Sequence, residues 1–229
     1  MSALALLLAA VAAAAPAPKP PQTVHFKSAD GWTLAASYRP ARKGGVVIVL
    51  AHGVASSRLE WDAFAERLAS EGVGTLAVDL RGHHDSVKGP AGHRTYEDFD
   101  AAGEWPKAVW DLDAAARWLE RRGIAASSVA FAGASIGANL AAQAASARAP
   151  TPFLLLLSPG PDYRRVELKL RRGLRTLAVA SAPDAYAFQT LEPLAASGVE
   201  TWKAPSGHGV QTLSDKETLE KIVAWIAGR

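Results

Sequence analysis

The sequence predicts an α/β protein built on a doubly wound, mostly parallel sheet with helices on both faces. Three observations carry that expectation. Short runs such as "GGVVIVLAHG" (44–53) are apolar throughout, as strands buried on both faces of a sheet are. Segments of helical periodicity separate these runs, so strand and helix alternate. The alternation continues to the C-terminus with no internal repeat, which implies βαβ units joined by crossovers.

The elements follow in order. Residues 3–15, "ALALLLAAVAAAA", are uncharged and apolar, and "PAPKPP" comes next. This resembles the apolar region and cleavage site of an export signal, and it is short for a membrane span. The expected organisation is an export signal over 1–17, a Pro-rich linker over 18–22 and one domain over 23–229. The mature chain is expected to begin between Ala14 and Lys19 and to be periplasmic or secreted, with no stable membrane insertion. "TVHFKSADGWTLAASYRP" (23–40) reads as two extended runs around a turn at Asp30-Gly31, hence an N-terminal hairpin. Strand 44–53 leads to a helix over 57–72 that stops at Gly72, then to a strand over 73–82. After a longer loop, 104–123 reads as a helix with Val109, Leu112, Ala116 and Leu119 on one face. There follow strand 128–133, helix 135–147, strands 152–158 and 174–181, helix 184–197, strand 199–204 and helix 213–227.

Composition narrows the function. The 229 residues are 49% hydrophobic and 21% charged, with a formal net charge of +3, which suits one globular domain. The one basic cluster, "DYRRVELKLRRGLR" (162–175), reads as a solvated helix face, and no basic stripe calls for nucleic acid. The absence of cysteine excludes disulfides, cysteine metal sites and lipidation of an N-terminal cysteine.

Ligands on doubly wound sheets bind beyond the carboxyl ends of the strands. His52, Asp79, Ser135, Ser158, Asp184 and His208 all fall at or just after such ends. Gly133-Ala134-Ser135-Ile136-Gly137 fits G-x-S-x-G between a strand and a helix. A nucleophile on so sharp a turn needs small residues two before and two after it. The turn also places the Ile136 amide at a helix N-terminus, where developing negative charge is stabilised. A helix-capping role for Ser135 is the plain alternative.

Three further stretches, "AHGVASS" (51–57), "DLRGHHDS" (79–86) and "PSGHGV" (205–210), complete a resemblance to the α/β-hydrolase superfamily. The chain is similar to its small esterase or dienelactone-hydrolase-like members over about residues 23–229. The resemblance implies Ser135 as nucleophile, His208 as base, and the Ile136 and Val54 amides as an oxyanion hole. It implies that His52, Gly53, Gly133 and Gly137 shape the site. His84 stands where the family usually has glycine and is expected to shape the pocket as well. For the acid, Asp184 matches the family position, while Asp162 follows the preceding strand and is the alternative. Asp79 reads as a loop anchor and Asp215 as a helix N-terminal charge. His25 and His93 read as surface residues. A metal held by His83, His84 and Asp85 is disfavoured, because adjacent loop residues chelate one ion poorly, and no cofactor is called for. The segment between strands 152–158 and 174–181 is too short for a cap domain. The function this implies is a serine hydrolase cleaving small or soluble carboxylic esters, the partner being the small-molecule ester. The alternatives are a thioesterase or peptidase with the same residues, or a non-catalytic binding protein on the same scaffold.

Overall fold

The computed structural model describes residues 20–228. The expected export signal and residues 18 and 19 of the linker lie outside the described residues. Pro20 and Pro21 are exposed, and the first strand begins at Gln22.

Strand β1 (Gln22–Lys27) pairs antiparallel with β2 (Thr33–Arg39), the hairpin expected around Asp30-Gly31. Gly31 sits at φ +93, a conformation open to glycine. The parallel strands are β3 (Val47–Ala51), β4 (Gly74–Val78), β5 (Val129–Ala134), β6 (Leu154–Leu157), β7 (Thr176–Ser181) and β8 (Glu200–Ala204). They lie in the order β8-β7-β6-β5-β3-β4, and β2 closes onto β4 antiparallel. The order reverses at β3, whose neighbours are β4 and β5. A crevice therefore opens above the carboxyl ends of β3 and β5.

The main helices are α1 (Asp62–Ser70), α2 (Val109–Arg121), α3 (Ile136–Ala147), α4 (Ala185–Ala196) and α5 (Lys216–Ile226). Strand alternation sends Val47, Val49 and Ala51 to one face of the sheet, where Leu112, Ala116 and Leu119 of α2 pack with α3 and α4. Ile48 and Leu50 face the other way, against Phe64 and Leu68 of α1 and Ile222 and Ile226 of α5. Both faces are covered, and the central strands β3 to β7 are buried throughout, so their sequences are almost wholly apolar, whereas the edge strand β8 keeps Glu200 and Lys203 exposed. Among the described residues no helix is long and apolar enough to cross a membrane.

Three expected helices begin later than periodicity suggests, each behind a tighter 3-10 segment. Arg58–Trp61 precedes α1, Trp105–Ala108 with Pro106 precedes α2, and Gly209–Ser214 precedes α5. Asp215 then caps α5 by accepting the Thr218 N–H, the helix-terminal role expected of it. The basic 162–175 segment is not a helix. It forms a two-stranded hairpin, Asp162–Tyr163 with Val166–Glu167, turning through Arg164 and Arg165 at φ 54 and 68. Asn139, Gln143 and Ser146 lie on one face of α3 and donate to the carbonyls of Gly160 and Val166, of Glu167, and of Lys169. Those hydrogen bonds draw the segment along the helix and hold it extended. No cap domain stands between β6 and β7.

Candidate active site

The site is built where the sheet order reverses. Ser135 joins β5 to α3 with φ 56 and ψ −127, a backbone conformation rare for a residue with a Cβ. Its surroundings show why the flanking residues are glycine. A Cβ on Gly133 would lie 2.0 Å from the Gly137 carbonyl oxygen, and one on Gly137 would lie 2.3 Å from that of Ala51. Strand and helix thus touch through their backbones, and the turn projects Ser135 from the sheet edge. Ile136 occupies the first helical position, where its N–H has no acceptor within the helix.

The loop after β3 passes beside the serine. A Cβ on Gly53 would stand 3.4 Å from that of Ser135, and Val54 follows, half-buried. His52 holds this loop from within. Its Nε2 accepts the Leu80 N–H at 3.0 Å, so the proton is on Nδ1, which donates to the Gly53 carbonyl at 2.6 Å. Burial, with His83 and His84 nearby, pushes its pKa down to about 3, so the ring is neutral at physiological pH.

His208 follows β8 and is partly exposed. Its Nδ1 donates to Asp184 Oδ2 at 2.7 Å, and Asp184 sits at the end of β7 where α4 begins. With Nδ1 so engaged, Nε2 carries the lone pair. Two serines fix the loop around the ring: Ser181 Oγ donates to the Gly207 carbonyl at 2.6 Å, and Ser158 Oγ accepts the Gly209 N–H at 2.8 Å. Val54, Ser56, Glu60, Ser135, His208 and Gln211 line one open cavity of about 620 Å³.

Asp162 lies elsewhere. Its carboxylate accepts the Arg165 N–H at 2.7 Å and closes the hairpin turn, on an exposed surface. Asp79 is a loop anchor: fully buried, it accepts the Arg58 N–H at 2.7 Å and pairs with the Arg58 guanidinium. His84 adopts φ 44 and turns its ring to Asp79, 3.1 Å away, so it borders the Arg58 cluster and does not line the Ser135 cavity. Asp79, His84 and Asp85 hold ligand atoms within 4.8 Å of one another, but the Arg58 guanidinium already pairs with both carboxylates. His83 faces away from that group and stacks on Tyr96 at 4.4 Å. His25, on β1, and His93 are both exposed, as expected of surface residues.

Two site residues escape sequence reasoning. Glu60 reads there as one charge of an amphipathic helix. Its Oε1 accepts the Gly53 N–H at 3.2 Å and its Oε2 the Ser56 hydroxyl at 2.5 Å. Tyr163, on the hairpin, donates its hydroxyl to the Ser158 carbonyl at 3.1 Å. Burial and then the Asp184 charge raise its pKa, against a hydrogen bond with the Ser135 side chain, so the phenol stays protonated beside the serine. The only signal for Glu60 is its spacing of seven residues from Gly53. For Tyr163 there is none, because the hairpin itself is not legible.

Comparison with known proteins agrees with this architecture. A CIB-like hydrolase from Thermoplasma acidophilum superimposes with a TM-score of 0.69 at 17% identity, covering 91% of this chain and 99% of that one. For a dienelactone hydrolase from Anabaena variabilis the values are 0.61, 19%, 92% and 97%. For an esterase from Pyrococcus furiosus they are 0.66, 17%, 91% and 90%. At these identities the likeness is one of fold. No curated protein matches the chain. The family model described as "Alpha/beta hydrolase family" matches residues 48–226, from β3 through the end of α5, and the chain belongs to that family.

Proposed function

We propose that the protein is a serine hydrolase of esterase type, acting through Ser135, His208 and Asp184. The observation that carries this reading is the His208–Asp184 hydrogen bond of 2.7 Å beside the cavity that Ser135 lines from a strained elbow. His208 Nε2 takes the Ser135 proton as Oγ attacks the ester carbonyl, and Asp184 stabilises the imidazolium that forms. The Ile136 and Val54 amides receive the oxyanion. His208 then protonates the departing alcohol, leaving an acyl-serine. A water molecule, losing its proton to His208, attacks that acyl group and releases the acid and free Ser135. Nothing in this sequence of steps calls on a metal or a cofactor. The esterase among the similar structures supports the ester over other acyl substrates.

The test is labelling with a fluorophosphonate, which reacts only with an activated serine, together with a panel of acyl esters of graded length. Ser135→Ala should abolish labelling and lower turnover by about 10⁴-fold or more, with circular dichroism unchanged. Full activity in that variant overturns the reading. We also propose export, resting on the apolar 3–15 stretch and the prolines after it. N-terminal sequencing of protein from its native host should find a start between Ala14 and Lys19. An intact Met1 in a soluble cytoplasmic fraction would count against it.

A further inference from the structure

Glu60 is a carboxylate inside the cavity that Ser135 lines, and the reaction proposed above makes no use of it. It is half-buried, and its two oxygens are fixed by the Gly53 amide and the Ser56 hydroxyl, so its position is set by the same loop that carries Val54. No lysine or arginine lines that cavity. Among the described residues none pairs with Glu60 within salt-bridge distance. The other titratable group on the wall is His208, whose far side is bound to Asp184. The rest of the lining is neutral, with Ser56, Gln211 and Ser214 beside Val54, Ala134 and Val210.

From this arrangement we infer that Glu60 selects substrates: the cavity takes esters whose nearby substituent carries an ammonium or hydroxyl group and rejects those carrying a carboxylate. This names a substrate class for the site and rests on the esterase reading. A carboxylate oxygen engaged by one donor keeps a second lone pair for a ligand donor. An ammonium or hydroxyl group in the cavity finds that acceptor already placed. A ligand carboxylate finds like charge and no cation to offset it. The protein's formal net charge of +3 would favour anions from a distance, so a preference for cations must come from the local group. Burial pushes the Glu60 carboxyl up from its usual range, against the hydrogen bonds from Ser56 and Gly53. The test therefore belongs at slightly alkaline pH, where the group is charged.

Four fluorophosphonates of equal chain length, ending in ammonium, hydroxyl, methyl or carboxylate, are compared by their second-order labelling rates at pH 8. The ammonium probe should label faster than the carboxylate probe by roughly tenfold at low ionic strength, the scale of one partly screened charge several ångströms away. Raising the salt concentration on the unaltered protein should compress that ratio. Glu60→Gln keeps an oxygen for Gly53 and Ser56 but removes the charge, and should bring the ammonium-to-carboxylate ratio towards one. A ratio near one in the unaltered protein, or an unchanged ratio in Glu60→Gln, overturns the inference while the esterase reading stands. If no probe labels Ser135 at all, the esterase reading fails and this inference falls with it.

Discussion

Removing one oxygen atom tests how the histidine loop is held. Ser158 is fully buried at the end of β6, and its Oγ accepts the N–H of Gly209, which is also buried and directly follows His208. Ser158→Ala changes nothing else: the residue keeps its backbone bond to the Val179 carbonyl and its own carbonyl still receives the Tyr163 hydroxyl. The Gly209 N–H is left buried without an acceptor, at a cost of about 1–3 kcal/mol. For a domain of this size each kcal/mol is worth about 2–4 °C in Tm, so the expected fall is roughly 2–12 °C. The loop can recover part of that cost only by moving Gly209 away from β6, which carries His208 with it. A displacement of about 1 Å at a reacting group costs up to about 10²-fold in rate, so kcat/KM should drop by roughly 10- to 100-fold. Calorimetry gives the first number and ester turnover the second. Ser158 also sits at φ 52, so Ser158→Gly removes the same acceptor while relieving a strained backbone. It should be no less stable than the alanine variant and just as slow. If Ser158→Ala kept its Tm within 1 °C and its turnover within about twofold, the loop would be held by something other than this bond.

Two further outcomes are expected. Asp184→Asn should lower turnover by roughly 10²- to 10⁴-fold, because asparagine can hold His208 in the wrong tautomer; Asp162→Asn, at a solvated turn, should stay within about threefold, or about 0.7 kcal/mol. A large loss at Asp162 beside a near-normal Asp184 variant would move the acid to the hairpin. His52 governs acid stability: its folded pKa of about 3 lies below the ordinary 6.5, so the unfolded chain binds the extra proton and stability is lost as pH falls from about 6.5 towards 3. Between pH 7 and pH 5 this group alone removes about 2 kcal/mol, and urea unfolding should show a loss smaller by that amount in His52→Gln. His83 shifts in the same direction and the buried Asp111 in the opposite one, but both are present in either protein and cancel in the comparison. Equal losses in the two proteins would mean that His52 is charged in the fold.

Most of the scaffold and much of the site are legible in the sequence, for a physical reason. Strands buried on both faces must be apolar throughout, so β3, β5 and β7 announce themselves, and once they are placed the sheet's topology brings their carboxyl ends together. Ser135 is visible because it directly follows such a strand; Asp184 and His208, in the turns just beyond β7 and β8, are read from the strand order together with the resemblance. What stays hidden depends on contacts between distant segments. The 162–175 segment carries charges that suit a helix surface, but the carbonyls of 160–169 are claimed by Asn139, Gln143 and Ser146 of α3. Nothing local records that claim, and Tyr163 is lost with the hairpin. Glu60 is hidden because a carboxylate beside alternating apolar residues looks solvated until the Gly53 amide is seen to close on it. His84 is misleading for the converse reason: its place in the motif suggests the pocket, while its left-handed backbone turns the ring towards Asp79.

The geometry also says where this site obtains its precision. Ser135 and Ser158 both hold left-handed backbones, and they stand side by side, one residue beyond the paired Ala134 and Leu157 on β5 and β6. Each such residue costs about 1–2 kcal/mol. Both are held because the sheet's hydrogen bonding runs one step past the strands: the Ser135 N–H reaches the Leu157 carbonyl at 2.9 Å and the Ser158 N–H reaches that of Val179 at 2.7 Å. The kink at one strand end is thus braced by the strand beside it, and that strand's kink by the next. From this edge Ser135 projects towards the cavity, while Ser158 receives Gly209 and Tyr163. Positioning comes from the ends of a rigid sheet, so it does not require a cap to close over the substrate. The corollary is that water is not shut out by the fold, and charge on the cavity wall is felt through a partly screened medium. An open site of this kind discriminates by fixed groups at its rim, and the group fixed there is Glu60.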